Sequence, residues 1–411
     1  MIKRKAVCFQ AAFFPAEESM NDFIFHTPTK VVFGRESESK LGSLLREQGC
    51  RKVLIHYGGG SAERSGLLGR VREVLKAEGL AWAELGGVVP NPRLSLVYEG
   101  IELGRREGVD FILAVGGGSV IDSAKAIGYG IGSGGDVWEL FERKRKVTAC
   151  TPIGVILTIA ATGSEMSSSC VITAEDGWRK LGCTSETSRP RFAIMDPTLT
   201  MTLPDYQTAC GCVDILMHTM ERWFYASGGM ELTDRISASL MRTVMKHALI
   251  LRDDPQNYES RAEVLWAGAL SHNGLTGCGS DGGDWAPHKI EHELSGLFDV
   301  AHGAGLAAVW GSWARYVAQQ KPERFVRFAQ HVMQVSGAGT DQEMALAGIE
   351  AFEDFCRAIN MPTSIRGLGI EPTEEQMREM AEKCIAGMHG PAGKVVKLHA
   401  DDIVEILRMA L

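Results

Sequence analysis

The sequence lacks the features that define several common protein classes. Its 10 cysteines are scattered, and no Cys-x-x-Cys pair suggests a zinc ribbon or a redox couple. No apolar run approaches the roughly 18 residues that a membrane helix needs. Positive charge is scarce, because 43 Lys and Arg stand against 51 Asp and Glu, a net charge of −8. These absences argue against a membrane-embedded or nucleic-acid-binding protein and favour a cytoplasmic protein with reduced thiols.

The length and composition indicate an ordinary globular protein. At roughly 100–200 residues per domain, the 411 residues suggest about two domains. Hydrophobic residues make up 45% and charged residues 23%, which excludes the disordered and disulfide-scaffold classes. Residues 1–19 faintly resemble a secretory signal but have no clear cleavage site. They are therefore expected to be a flexible extension.

Local patterns divide the chain near residue 205. Before it, strand-like runs alternate with helical patterns, as at 52–57 followed by 66–76. Repeated strand and helix units predict a parallel sheet covered by helices. After it, the patterns are helical with few strand-like runs between them. The prediction is an α/β domain over 20–205 and an all-helical domain over 206–411, packed around a cleft.

Two stretches after predicted strands could bind a nucleotide. The run Gly-Gly-Gly-Ser at 116–119 stands between a strand and a helix, where backbone amides and the helix N-terminus can meet a diphosphate. Such a run is as often only a tight turn. The stretch 158–165 places hydroxyl groups after the next buried strand, where they could bind the cofactor or cap a helix. Both interpretations stay open for each stretch.

Possible metal ligands cluster in the helical half. Asp214 and His218 are four residues apart and would share one face of a helix, although a capping Asp beside an unrelated His is equally expected. His288, His292 and His302 form a denser cluster, for which solvated helix residues are the alternative. Imidazole and carboxylate without thiolate suit Fe(II), Zn(II) or Mn(II). The histidines without such company are expected to be surface or packing residues: His26, His56, His247, His272, His331, His389 and His399.

In combination these elements resemble the iron-containing (group III) alcohol dehydrogenase family. The order and spacing match from about residue 21 to the C-terminus. The segments 23–34 and 57–61 look most like the butanol dehydrogenase and NADPH-dependent aldehyde reductase branch. The shared elements are the 116–119 turn with Asp122 and Lys125, the 161–165 stretch, Asp196 with Pro197, Asp214 with His218, and the trio His288, His292 and His302.

The resemblance implies an N-terminal dinucleotide-binding α/β domain and an all-α C-terminal domain, a fold also found in dehydroquinate synthase. It implies a divalent metal, Fe(II) first and Zn(II) as the alternative, held by Asp214, His218, His288 and His302. His292 is implied to lie by the substrate and assist proton movement without binding the metal. The residues expected to line the cofactor are Gly59, Ser61, Gly117, Gly118, Ser119, Asp122, Thr158, Thr162, Ser164 and Lys180.

The implied reaction is hydride transfer between a nicotinamide and a primary alcohol or aldehyde. The protein is expected to be a homodimer. NADP(H) is expected in preference to NAD(H), because no acid follows the strand at 53–57 until Glu63, which has Arg64 beside it. An acid at the end of that strand would bind the ribose 2′-hydroxyl and repel a 2′-phosphate. Two alternatives remain. One is a metal-dependent lyase of the same fold, against which the scarcity of Lys and Arg near the histidines counts. The other is a non-catalytic metal- or nucleotide-binding protein.

Overall fold

The computed structural model describes residues 21–225, 230–280, 282–337, 339–388 and 390–411. The expected extension at 1–19 and the expectation for His389 lie outside these residues. Within the described residues, no helix is both long and apolar enough to cross a membrane.

The strands lie in the first half of the chain and form two sheets. Six parallel strands are arranged in the order β1-β8-β5-β4-β2-β3, and β6 pairs with β7 as an antiparallel hairpin. The strands β4 and β5 are apolar and buried throughout, as expected for central parallel strands that helices cover on both faces. The strands are β1 (Lys30–Phe33), β2 (Lys52–Gly58), β3 (Ala81–Val88), β4 (Phe111–Gly116), β5 (Ile153–Leu157), β6 (Ser169–Ala174), β7 (Arg179–Thr184) and β8 (Phe192–Met195).

Helices accompany the sheet and then make up the second half. Among the described residues after β8, pairing of the strand type is limited to one isolated bridge between Ala392 and Leu398. The predicted fold class, an α/β domain followed by an all-α domain, is therefore confirmed. The helices are α1 (Leu41–Gln48), α2 (Ser61–Arg64), α3 (Leu67–Ala77), α4 (Leu94–Glu107), α5 (Gly118–Ser133), α6 (Trp138–Phe141), α7 (Asp205–Phe224), α8 (Glu231–Asp253), α9 (Tyr258–His272), α10 (Ala286–Phe298), α11 (His302–Ala318), α12 (Glu323–His331), α13 (Asp341–Ala358), α14 (Glu374–Met388) and α15 (Ala400–Met409).

The strand order creates a crevice at the carboxyl ends of β2 and β4. The chain passes from β2 outward to β3 on one side, and from β4 to β5 on the other. In open parallel sheets, ligands bind where the connections diverge in this way. The turn at 58–61 follows β2 and the turn at 116–119 follows β4. The topology therefore brings both glycine-rich turns to the position expected for a nucleotide.

The helical domain packs directly against this end of the sheet. Gly211 in α7 lies so close to the loop after β5 that a Cβ on it would be 2.1 Å from the carbonyl oxygen of Ala160. Gly303, at the start of α11, would place a Cβ 2.1 Å from the carbonyl oxygen of Cys210. Glycine at these two positions lets α7 approach both the sheet and α11. The helices that carry the predicted metal ligands are thereby held beside the crevice.

Candidate metal centre and cofactor cleft

Three helices place the predicted metal ligands. Asp214 and His218 lie one turn apart on α7. His288 lies in the first turn of α10, and His302 is the first residue of α11. Between these two helices the chain turns through Asp299, whose φ of 52° is in the left-handed region. This tight connection returns the start of α11 to the face of α10.

The three histidines converge on the carboxylate of Asp214. Its Oδ1 lies 3.3 Å from Nδ1 of His218, 3.7 Å from Nε2 of His288 and 3.7 Å from Nε2 of His302. Asp214, His218 and His288 form a group whose candidate ligand atoms all lie within 4.8 Å of one another. A neighbouring group of the same span contains His302, His292 and Glu291. The structure therefore brings together all four predicted ligands, with His292 beside them.

The unpaired atoms of this cluster fit a bound cation. Asp214 Oδ1, His218 Nδ1 and His288 Nε2 are buried and have no hydrogen-bond partner within the described residues. Leaving a buried polar atom unpaired costs about 1–3 kcal/mol. One divalent ion would satisfy all three atoms, and a set of imidazole and carboxylate ligands without thiolate matches Fe(II) or Zn(II).

Burial and neighbouring charges set the protonation states of the clustered side chains. Burial alone would raise the pKa of Asp214, but the surrounding histidines outweigh it and hold that pKa below its usual range. Burial lowers the pKa of His218 to about 3, so its ring is neutral near pH 7. For His288, burial acts downward, but the charge of Asp214 and the hydrogen bond to Glu221 outweigh it and raise the pKa to about 9. A cation entering the site would displace the proton from His288.

His292 lies beside the cluster with one nitrogen unused. Its ring centroid is 5.6 Å from that of His302 and 6.5 Å from that of His288. The side chain is buried, and Nδ1 has no hydrogen-bond partner in the part of the chain that the structure describes. Burial, followed by the charge of Lys180, holds its pKa well below the usual value. His292 is therefore a neutral imidazole next to the proposed metal site.

The cofactor side of the cleft depends on close backbone approach. A Cβ on Gly117 would lie 1.9 Å from Cγ2 of Ile159, and one on Gly118 would lie 2.4 Å from the side chain of Thr162. The turn after β4 therefore packs directly on the loop after β5, which only glycine permits. The same turn leads into α5, whose first N–H groups can bind an anion. The other predicted cofactor residues that are at least partly exposed are Gly59, Ser61, Ser119, Asp122 and Thr158.

Two of the predicted cofactor residues are bonded to each other in the structure. Ser164 donates a hydrogen bond of 2.6 Å to Asp122, which also accepts one of 2.9 Å from the backbone N–H of Val171. Nearby, Nζ of Lys125 donates to the carbonyl oxygens of Ser164, Ser167 and Ser169. These bonds tie the loop after β5 to α5, so Asp122 and Ser164 brace the cleft.

Lys180 lies at the seam between the domains. Its Nζ donates to Oδ1 of Asn91 and to Oγ of Ser295, both at 2.9 Å. The same nitrogen is 3.7 Å from Oε2 of Glu291. The structure thus places this predicted cofactor residue against α10, within reach of the side chains that surround the predicted metal ligands.

His272 is the site residue that sequence reasoning missed most clearly. It was expected to be a surface or packing histidine, and the structure places its ring centroid 4.2 Å from that of His218, one of the predicted ligands. Its Nε2 is 3.0 Å from Oγ of Ser169, and its Nδ1 is 3.2 Å from Nη2 of Arg222. It sits at the end of α9, on a different helix from the predicted ligands, so no helical spacing could reveal it. His56, by contrast, is a buried packing histidine, as expected.

Two buried glutamates beside the ligands were also missed. Glu221 is 2.8 Å from Nδ1 of His288, and Glu291 is bonded to Nδ1 of His302. For Glu221 a signal existed, because Asp214, His218 and Glu221 follow the spacing i, i+4, i+7 of one helix face. For Glu291 the only signal was its place within the histidine cluster.

Comparisons with known proteins cover nearly the whole chain. The family of iron-containing alcohol dehydrogenases matches residues 28–197, and the C-terminal domain of the same family matches residues 208–411. A protein named probable NADH-dependent butanol dehydrogenase 1, from Bacillus subtilis, is 39% identical over 95% of this chain and all of its own length. The NADPH-dependent aldehyde reductase YqhD of Escherichia coli is 33% identical over 86% of this chain and 90% of its own. The crystal structure of NADH-dependent butanol dehydrogenase A from Thermotoga maritima is 40% identical, covers 96% of this chain and 99% of its own, and superposes with a TM-score of 0.92.

The first prediction concerns the central carboxylate. Asp214→Ala should weaken binding of Zn²⁺ or Fe²⁺ by more than about 100-fold, because losing a ligand exceeds the effect of losing a residue that only supports one. Equilibrium dialysis with elemental analysis measures this directly. Asp205→Ala, on the exposed first turn of the same helix, is the control and should keep its metal. An Asp214→Ala protein that stays metal-replete and active would remove Asp214 from the ligand set.

Proposed function

The chain belongs to the iron-containing alcohol dehydrogenase family, and from that premise we propose that it interconverts small aldehydes and primary alcohols with NADP(H) as its preferred cofactor. Like its relatives, the chain is an NAD(P)-dependent alcohol and aldehyde oxidoreductase. One observation carries the proposal. The glycine turns at the ends of β2 and β4 and the histidine cluster of the helical domain lie at the same end of the sheet.

We assign the metal to Asp214, His218, His288 and His302, with Fe(II) as the expected ion and Zn(II) as the alternative. The assignment is supported by the three unpaired ligand atoms and by the short span of the cluster. A bound divalent ion supplies Lewis-acid polarisation of the substrate oxygen, and the nicotinamide supplies or accepts the hydride.

The chain's own residues then have three tasks. The turn at 116–119 and the first N–H groups of α5 hold the cofactor diphosphate. The carboxylate of Asp214 places one negative charge against the ion in a buried site, where charges interact strongly. His292 is buried and neutral, and its Nδ1 has no partner among the described residues; it carries the proton between the substrate oxygen and solvent.

The preference for NADP(H) rests on the surroundings of the turn at 58–61. Glu63, the next acid along the chain, forms a bidentate ion pair with Arg72, with N···O distances of 2.9 and 2.8 Å. A Cβ on Gly60 would lie 3.2 Å from Nη1 of Arg64, so that guanidinium sits over the turn. A cation without a competing carboxylate suits a ribose 2′-phosphate. Some relatives are named NADH-dependent and another NADPH-dependent, so the proposed preference depends on this geometry.

A homodimer and a cytoplasmic location complete the proposal. Large apolar side chains stand exposed near the edge strand β1, namely Phe23, Ile24, Phe25 and Phe33. Such a patch is typical of an interface. The described cysteines are all free thiols, which suits a reducing compartment. Sedimentation at twice the monomer mass would support the dimer, and a monomer at micromolar concentration would contradict it; cell fractionation tests the location.

The proposed activity is tested with metal-stripped protein reloaded anaerobically with Fe(II). A graded series of linear aldehydes should cause net loss of the reduced-cofactor absorbance, and metal removal should abolish it. No net loss despite product formation would indicate the lyase alternative. Metal retention without turnover would indicate a binding protein.

Cofactor preference is tested in the same assay. The value of kcat/KM should be higher with NADPH than with NADH. Arg64→Ala should lower it about tenfold for NADPH only, since a hydrogen bond to a charged group contributes about 1.5–3 kcal/mol. The matched control is Arg70→Ala, because Arg70 lies on α3 and pairs with Glu38. This substitution should leave kcat/KM unchanged with NADPH and with NADH. A higher kcat/KM with NADH would refute the preference.

The role of His292 is tested by its removal. His292→Ala should lower kcat about 100-fold or more, the usual effect of losing a proton-transferring group. Metal content and NADPH binding should stay unchanged, because the residue is assigned to neither. His247→Ala is the control, as that side chain bonds Ser260 on the neighbouring helix. Full turnover of His292→Ala at every pH would eliminate the role.

A further inference from the structure

We propose that Glu221 and Glu291 are positioning residues that fix the orientation of His288 and His302 and strengthen their binding of the metal. The inference rests on the proposed metal site and extends it, because neither glutamate is among the assigned ligands. Both carboxylates are almost completely buried. A buried carboxylate needs hydrogen-bond or ionic partners that compensate for its lost hydration. Here the proposed metal ligands are among those partners.

The first pair is formed by α7 and α10. Oε1 of Glu221 lies 2.8 Å from Nδ1 of His288, on the side of the ring away from the cluster. The other ring nitrogen, Nε2, lies 3.7 Å from Oδ1 of Asp214 and has no hydrogen-bond partner within the described ranges. One nitrogen of His288 is therefore committed to a carboxylate while the other is left for the ion.

The second pair repeats this arrangement between α10 and α11. Glu291 is bonded through Oε2 to Nδ1 of His302, and Nε2 of His302 lies 3.7 Å from Oδ1 of Asp214. The same Oε2 is 3.7 Å from Nζ of Lys180, which extends from the α/β domain. The cation and the imidazole both favour the charged carboxylate, so Glu291 links the cofactor domain to a metal ligand.

The physical consequence is the same in both pairs. A carboxylate that accepts the Nδ1–H bond fixes the tautomer in which Nε2 carries the lone pair. It also holds the ring plane and increases the basicity of the ligand nitrogen. Two independent helix contacts thus prepare His288 and His302 for the same ion before it binds.

A purely structural role must be distinguished for Glu221. Its carboxylate also accepts bonds from the backbone N–H of Trp285 at 2.7 Å and of His288 at 3.2 Å, and so holds the start of α10. Trp285 has a left-handed φ of 67°, so this backbone needs such support. Glu221→Gln keeps one oxygen that can accept from Trp285, but it removes the charge and places an –NH2 group where Oε1 faces Nδ1 of His288.

The test measures metal binding by Glu221→Gln and Glu291→Gln. Metal-stripped wild-type and variant proteins are titrated with Co²⁺, and Zn²⁺ affinity is determined by competition with a chromophoric chelator. Each variant should bind about 10–100-fold more weakly, the usual effect of removing such a partner, and the visible spectrum of bound Co²⁺ should change. Glu353→Gln, which removes another buried carboxylate, paired with Arg315, is the matched control and should match the wild type in both readouts.

The outcomes separate this inference from the proposed function. Wild-type protein that binds no Co²⁺ or Zn²⁺ would overturn both. Wild-type binding with unchanged affinity and spectrum in both variants would overturn only the positioning role. A lowered unfolding temperature of the metal-free variant with unchanged metal affinity would show that the glutamate is merely structural.

A measurement without variants covers the case in which a substitution prevents folding. Long-range ¹H–¹⁵N correlation spectra of zinc-loaded wild-type protein with labelled histidine report which ring nitrogen carries the proton. For His288 and His302 we expect a protonated Nδ1 and metal at Nε2. Metal at Nδ1 of either His288 or His302 would contradict the arrangement.

Discussion

The carboxylate of Asp214 is the constraint on which the site depends. It is buried, its Oδ1 faces three imidazoles, and that oxygen has no hydrogen-bond donor among the described residues. In an interior of low polarity, such a charge needs a compensating one nearby. The arrangement is understandable as a binding site for a divalent cation, since the ion supplies the missing charge and uses the unpaired atoms of the histidines.

The fold positions this cluster through packing of helices on a sheet. The six parallel strands open their crevice between β2 and β4, and α7 closes against it at Gly211. Side chains from both domains also meet across the seam, where Lys180 of β7 bonds Ser295 of α10. The turns predicted to bind the cofactor and the helices that carry the predicted metal ligands therefore lie at the same end of the sheet. Hydride transfer to a polarised carbonyl would require this juxtaposition.

The sequence predicted the parts of this arrangement that have a local period or a local composition. Alternating strand and helix patterns indicated the parallel sheet. The run of glycines at 116–118 indicated a turn after β4, and in the structure this turn packs closely against the loop after β5. The spacing of Asp214 and His218 placed them on one helix face, as observed. The division of the chain at residue 205 stays a prediction.

Contacts between distant elements could not be predicted in this way. The assignment of Asp122 to the cofactor stays a prediction, and no local pattern indicated that its carboxylate also accepts bonds from Ser164 and from β6. His272 reaches the cluster because α9 packs on α7, which no spacing along the chain encodes. The same holds for the pairing of Glu291 with His302, since it depends on the turn at Asp299. Hydrogen bonds between elements are decided by tertiary packing, and that information becomes visible only in the folded chain.

X-ray absorption spectroscopy of the zinc-loaded protein tests the central claim most directly. The account predicts a coordination shell of nitrogen and oxygen at about 2.0–2.2 Å, with the outer-shell scattering of three imidazole rings. Sulfur scattering at about 2.3 Å, or a shell without imidazole, would contradict the assignment of Asp214, His218, His288 and His302.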